Sequence, residues 1–137
     1  MSTGAGYSGT PLQRKLGFEE AMRVHYAAAP DDFVALLGEL PGGVRVLARP
    51  AADLDLVVVF VRERRELERR LPGLQAKLQP AGMLWVAWPK RASKLPTDMT
   101  EDVVRDVALS RGLVDVKVCA IDHTWSGLKL VTRKELR

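Results

Sequence analysis

Two short stretches of this chain place residues together that can do chemistry. In MLWVAWPKRASKLPTDMTEDVVRD, residues 83 to 106, the tryptophans Trp85 and Trp88 are followed at once by Lys90, Arg91 and Lys94. Cations in a turn-rich loop can hold an anion, and a tryptophan beside them can supply a flat apolar wall. Trp85 and Trp88 have opposite parity on a strand, so they point to different faces and do not form one stacking platform. Trp85 is expected in the core, and Trp88, next to Pro89, at the border of a pocket. The second stretch, Asp122 to Gly127, carries Asp122, His123, Trp125 and Ser126. Asp, His and Ser crowded in one turn are not a triad, which is defined by geometry and not by sequence proximity. Trp125 in a turn can cover the sheet edge or anchor an interface.

The remaining reactive side chains point to structure. His25 sits inside a strand pattern, where a hydrogen-bonded structural role is expected. Cys119 falls in an apolar strand, where a buried thiol stays protonated and inert. The two histidines show no metal-ligand spacing. No catalytic residue, metal or cofactor is therefore assigned. The candidate ligand or partner site is Trp88, Lys90, Lys94, Asp122, His123 and Trp125.

The elements that must position these residues follow from periodicity and punctuation. Thr10-Pro11 reads as a threonine cap with proline at the first helical position, and Gly17 as the stop; Lys15 is expected exposed. Met22 to Ala28 is a strand ended by Pro30. Asp31 or Asp32 caps a helix whose buried face is Phe33, Leu36, Leu37 and Leu40. Val44 to Leu47 is a short strand. Leu54 to Val61 is continuously apolar and β-branched, as in a strand covered on both faces. Leu67, Leu71, Leu74 and Leu78 then form a helical stripe, with Pro72 expected to kink or split it. Pro80-Ala81-Gly82 is a turn into the strand Met83 to Trp88. Asp98 and Glu101 have capping-box spacing before a helix with Val103, Val104, Val107 and Ala108 inward. Val114 to Ile121 and Leu128 to Thr132 are strands joined by the turn Asp122 to Gly127.

The 137 residues fit one domain, 47% hydrophobic and 28% charged, as in an ordinary soluble protein. No apolar run approaches the roughly 18 residues that cross a bilayer. The start, MSTGAGYSGTP, lacks a secretory layout, and the lone cysteine suits a reducing compartment, so a cytoplasmic location is expected. The net charge of +4 permits nucleic-acid contact. The arginines of RERRELERR, however, alternate with glutamates and read as a solvated helix face.

This alternation of strands and helices predicts an α/β layered sheet, mostly parallel, with a C-terminal antiparallel hairpin. The order of elements resembles an abbreviated class I methyltransferase fold, a Rossmann-like arrangement, which implies strand order 2-1-3-4-6-5. Ligands then sit beyond the carboxyl ends of the strands, where 27 to 32, 61 to 64, 90 to 97 and 122 to 127 meet. Asp31 and Arg62 join the candidate polar groups there. An S-adenosylmethionine or dinucleotide site calls for glycines after the first strand. This chain has Ala27-Ala28-Ala29-Pro30, and Arg49 where a ribose-binding carboxylate is wanted.

Three stretches, GYSGTPLQRKLG, WVAWPKRASKLPTDMTEDV and CAIDHTWSGLKLV, resemble a small, mainly actinobacterial family catalogued as a domain of unknown function. The resemblance spans most of the chain. It implies a cytoplasmic bacterial protein with a compact α/β fold, and it brings no activity or catalytic residues with it. It draws attention to Tyr7, Ser8, Thr10 and Lys15: residues 1 to 9 form a flexible arm from which Tyr7 and Ser8 can close over the site, or, as capping favours, YSGTPL docks by Tyr7 and Leu12 and caps a helix with Thr10. The expected function is a noncatalytic binding or regulatory domain whose partner is a protein or a small anionic ligand. The alternative is an enzyme or anionic-cofactor binder related to methyltransferases and using Lys90, Lys94 and Asp122. Weak nucleic-acid association through exposed arginines stands third. The sequence leaves the oligomeric state open.

Overall fold

In the computed structural model, which describes residues 10–137, Leu54–Phe60 (β3) lies inside a six-stranded sheet with six of its seven side chains buried. Its neighbours are Arg23–Ala27 (β1) and Leu78–Pro89 (β4), both parallel to it. Arg45–Leu47 (β2) pairs with the outer side of β1, also in parallel. Trp125–Thr132 (β6) runs antiparallel to β4, and Leu113–Ala120 (β5) forms the far edge. The order is β2-β1-β3-β4-β6-β5, the one that the resemblance to a class I methyltransferase fold implies. Between β2 and β3 the chain crosses β1 in residues 48–53 with no helix. This is possible because β2 is three residues long and stops level with His25.

Helices cover both faces. Leu12–Leu16 (α1) and Phe33–Leu37 (α2) bury Leu16, Phe33 and Leu37 against Val24, Leu56, Val58, Phe60 and Trp85. Arg64–Lys77 (α3) and Glu101–Leu109 (α4) bury Leu67, Leu71, Leu74, Val104 and Val107 against Val57, Val59, Leu84, Val86 and Trp88. Each such side chain contributes about 1.5–3 kcal/mol relative to exposure. Trp85 and Trp88 thus sit on opposite faces, and Trp85 also donates its indole N–H to the Leu16 carbonyl at 2.8 Å.

Several local expectations are corrected. Pro11 is itself the cap residue of α1, with its carbonyl accepting from Arg14 and Lys15 N–H, so the expected threonine cap is displaced by one position. Lys15 is half-buried. Gly17 ends α1 as predicted, at φ +94°, with the Phe18 N–H donating to Gln13 O. Neither aspartate caps α2 by its side chain, and Leu36 is exposed because a single short helix buries only Phe33 and Leu37. Pro72 does not split α3: the helix runs through it, held by Leu71 and Leu74 in the core. Pro80 to Gly82 is not a turn but a part of β4, where the β3–β4 register shifts between Leu54 and Leu56. A Cβ on Gly82 would stand 2.9 Å from the Leu54 carbonyl oxygen, so the glycine marks an irregular, close strand approach. The Asp98–Glu101 capping box is not formed. Thr100 caps α4, accepting from Val103 N–H at 3.1 Å, while Asp98 accepts from Arg64 N–H at 2.7 Å.

Candidate functional site

The loop after β4 is held at three places, and this defines the carboxyl edge of the sheet. Lys90 N–H donates to the Thr124 carbonyl at 2.7 Å, tying the loop to the β5–β6 turn. A short 3-10 turn, Arg91–Ser93, is closed by the Ser93 hydroxyl donating to Lys90 O at 2.6 Å. The far end is fastened to the start of α3, where the Thr97 hydroxyl donates to Arg62 O at 2.6 Å and Asp98 takes the Arg64 N–H. The loop therefore bridges the top of the sheet and separates two clefts.

The larger cleft, about 950 Å³, opens beyond the carboxyl ends of β1 and β3. Phe60 and Trp125 form its aromatic floor, with Ala28, Pro30 and Pro96 beside them, and Arg62, Arg65 and Arg69 rim it with Glu63 and Glu66. Glu63 pairs with Arg65 at 3.3 Å and Glu66 with Arg70 at 3.5 Å. Arg62 and Arg69 have no carboxylate partner among the described residues. Trp125 is held by an aromatic ladder: it meets Phe60 edge-on at 5.1 Å, Phe60 meets Phe33 at 5.0 Å, and Phe33 meets Tyr26 at 5.1 Å. The Tyr26 hydroxyl is buried without a hydrogen-bond partner, and burial pushes its pKa up to about 12. The smaller cleft, about 520 Å³, lies at the ends of β4 and β6 between Trp88, Lys90, Arg91, Met99, Thr100 and Ser126. A third opening, about 500 Å³, sits beside β1 where β2 has stopped.

The residues singled out from sequence do not converge on one cavity. Trp88 and Lys90 line the smaller cleft and Trp125 the larger one. Trp125 is the first residue of β6, paired with Pro89, and not part of the turn. Asp122 Oδ1 accepts the N–H groups of Thr124 and Trp125, both at 2.8 Å, so its carboxylate is occupied in shaping the turn. His123 and Lys94 are exposed, and Lys94 ends the 3-10 turn in a left-handed conformation at φ 62°. Asp31 is exposed, whereas Arg62 reaches the larger cleft. Tyr7 and Ser8, the expected arm, lie outside the described residues. His25 is buried with Nδ1 2.8 Å from Leu47 O. Cys119 is a free, half-buried thiol, pushed up by burial against the opposing pull of Lys15 and Lys117. Among the described residues no His/Cys/Asp/Glu group could hold a metal, and no helix is long and apolar enough to cross a membrane.

Arg65 and Arg69 were not legible as site residues. Their signal was the three-and-four spacing of Arg62, Arg65, Glu66 and Arg69, which places them on one side of the chain entering α3. Mixed with glutamates, that stripe read only as solvated surface.

The sheet order, the helices on both faces and the hairpin define a single α/β domain of the methyltransferase-like Rossmann class. Among solved structures, the chain is similar to a SAM-dependent methyltransferase from Aquifex aeolicus, at 15% identity over 87% of this chain and 86% of that one, with a TM-score of 0.64. It is likewise similar to a putative type 11 methyltransferase from Sulfolobus solfataricus, at 13% identity over 97% and 95%, TM-score 0.64. The magnesium protoporphyrin IX methyltransferase of Synechocystis PCC 6803, solved with bound SAM, aligns over 89% of this chain and 74% of its own at 10% identity, TM-score 0.61. These likenesses establish the fold. No protein-family profile and no curated protein matches the sequence.

Proposed function

We propose that this chain is a methyltransferase-related protein that binds a small anionic ligand in the larger cleft, the enzyme-related alternative of the sequence reading. The observation that supports it is the aromatic floor of Phe60 and Trp125 under Arg62 and Arg69, two guanidiniums without carboxylate partners among the described residues. The cleft lies where α/β sheets of this kind receive ligands. An arginine offers a planar, always-charged donor array suited to phosphate or carboxylate, and a tryptophan face suits a flat ring. On this reading the protein is cytoplasmic and belongs to the small bacterial family that its three motif stretches resemble.

A second reading, a noncatalytic binding or regulatory domain, has its own support. Ala28 stands in left-handed conformation where a glycine turn belongs, and Arg49 follows the end of β2 in place of a carboxylate. Thermal unfolding with S-adenosylmethionine, S-adenosylhomocysteine, ATP and AMP separates the two. The proposal expects a saturable rise in Tm with at least one of these probes, lost in Arg62→Ala and Arg69→Ala. If S-adenosylmethionine is the binder, transfer of its labelled methyl group to candidate acceptors is the next assay. Flat melting curves with all four probes would overturn the small-ligand reading and favour a domain whose partner is a protein.

A further inference from the structure

The opening beside β1 is a third cavity, and several features of the chain combine to keep it open. β2 pairs with β1 only from Arg23 to His25, while β1 continues along β3 as far as Ala27. The outer edge of upper β1 therefore has no neighbouring strand, and the opening forms there. Its walls are mostly apolar, from Ala27, Ala28, Ala48, Pro50 and Leu74, with Tyr26 and with Arg70, whose charge is paired with Glu66 at 3.5 Å. Gly73 of α3 lies on the same wall. No heavy atom comes within 4 Å of a Cβ built on Gly73, and its φ is not positive, so neither crowding nor backbone conformation requires a glycine. A glycine inside a helix weakens it relative to alanine. What the missing side chain supplies at this position is space.

Polar groups stand at the bottom and the far end. His25, 6% exposed, uses Nδ1 on Leu47 O, and its other ring nitrogen has no hydrogen-bond partner among the described residues. Lys77, the last residue of α3, is exposed and has no ion pair among the described residues. The opening and the larger cleft share Ala28, and the successive residues Arg69 and Arg70 of α3 line one each. The two openings lie next to each other along α3, with Arg69 lining one and Lys77 the other. Eight residues of helix at 1.5 Å per residue separate those two cations by about 12 Å along the axis.

We propose that the two neighbouring openings act as a single elongated site for a ligand with an anionic group at each end and an apolar middle, held by Arg62 and Arg69 at one end and Lys77 at the other, with its middle passing Ala28 and Gly73. This rests on the reading of the larger cleft as an anion site and names the ligand class it takes. His25 at the base is placed to hydrogen-bond a polar group of the middle.

Linear carboxylates test the length and the two ends directly. Octanoate has one anionic end, butanedioate two close together, and decanedioate two far apart. Titration calorimetry is expected to show decanedioate binding about tenfold more tightly than either, the value of one added charge-assisted contact. Lys77→Ala should bring decanedioate down to the level of octanoate and leave octanoate unchanged. Gly73→Leu, which fills the opening from an uncrowded position, should weaken both decanedioate and octanoate, whose chains pass it, leave the short butanedioate unchanged, and raise thermal stability. Arg69→Ala should weaken all three. Decanedioate binding no better than octanoate, or binding unaffected by Gly73→Leu, overturns the elongated site and leaves the anion cleft standing. No carboxylate binding while a nucleotide binds overturns this ligand class alone, and no binding by any of these probes overturns both readings.

Discussion

Ala28 lines both of the neighbouring cavities, and among the described residues it is one of four non-glycine residues with positive φ, at +57°. A Cβ-bearing residue in the left-handed region is destabilised by roughly 1–2 kcal/mol. Ala28→Gly relieves that strain, but glycine also gains about 0.5–1 kcal/mol of backbone freedom in the unfolded chain. The difference is a net stabilisation of about 0–1.5 kcal/mol, with its midpoint at about 0.75. Ala28 is exposed, so almost no packing is lost with its methyl group. For a chain of this length the gain corresponds to a rise in Tm of roughly 2–4 °C. Urea unfolding should show a higher midpoint with an unchanged slope, since the surface exposed on unfolding does not change. Ala29→Gly is the control: Ala29 has no positive φ, so the same substitution there should destabilise by roughly 0.5–1 kcal/mol. If Ala28→Gly is less stable than the parent, or if the two variants behave alike, the strain assigned to this turn does not exist.

Tyr26→Phe removes a buried hydroxyl without a hydrogen-bond partner, so at neutral pH the variant should equal the parent or exceed it by about 1 kcal/mol. The Tyr26 pKa is raised from 10.0 to about 12 by burial, so the parent keeps the associated stability below pH 10 and loses it as pH rises from 10 to 12. Melting curves across that window should fall more steeply for the parent than for Tyr26→Phe, and parallel curves would refute the burial assigned to the hydroxyl. Trp85→Phe leaves the Leu16 carbonyl without its donor and opens space in the core, which together should destabilise by about 2–4 kcal/mol in urea unfolding; a loss below 1 kcal/mol would show that the indole hydrogen bond does not hold α1 to the sheet.

The strands and the final hairpin were legible because each carried its own signal, the apolar run of β3, the parity of Trp85 and Trp88 and the short link between the last two strands, while their order in the sheet came from the resemblance to a methyltransferase fold. The local errors come from tertiary contacts that a single element cannot show. Pro72 reads as a break until Leu71 and Leu74 are seen to be buried on both sides of it. Asp98 reads as a cap until Arg64, 34 residues earlier, is found to donate to it. The larger cleft was less conspicuous in the sequence for the same reason. Lys90 to Lys94 are conspicuous in sequence, yet the loop is folded on itself through Ser93. The cations of the larger cleft stand along α3, hidden among glutamates whose actual partners, Arg65 and Arg70, only the geometry reveals. Asp122 illustrates the same limit at short range, because a carboxylate that looks available in a turn is satisfied by the turn itself.

The place of β6 between β4 and β5 has a consequence for how the molecule is made. The strand that joins the two parts of the sheet is the last of the six to be synthesised. While residues 125–132 are still in the exit tunnel, β4 exposes one whole edge from Met83 to Pro89, and β5 has no strand to pair with at all. A nascent chain at that stage holds four parallel strands ending in an open hydrogen-bonding edge, the kind of surface that recruits other extended chains. Synthesis halted before Trp125 therefore yields an aggregation-prone product, and the arrival of residues 125–132 decides whether the sheet closes on itself or on a neighbour.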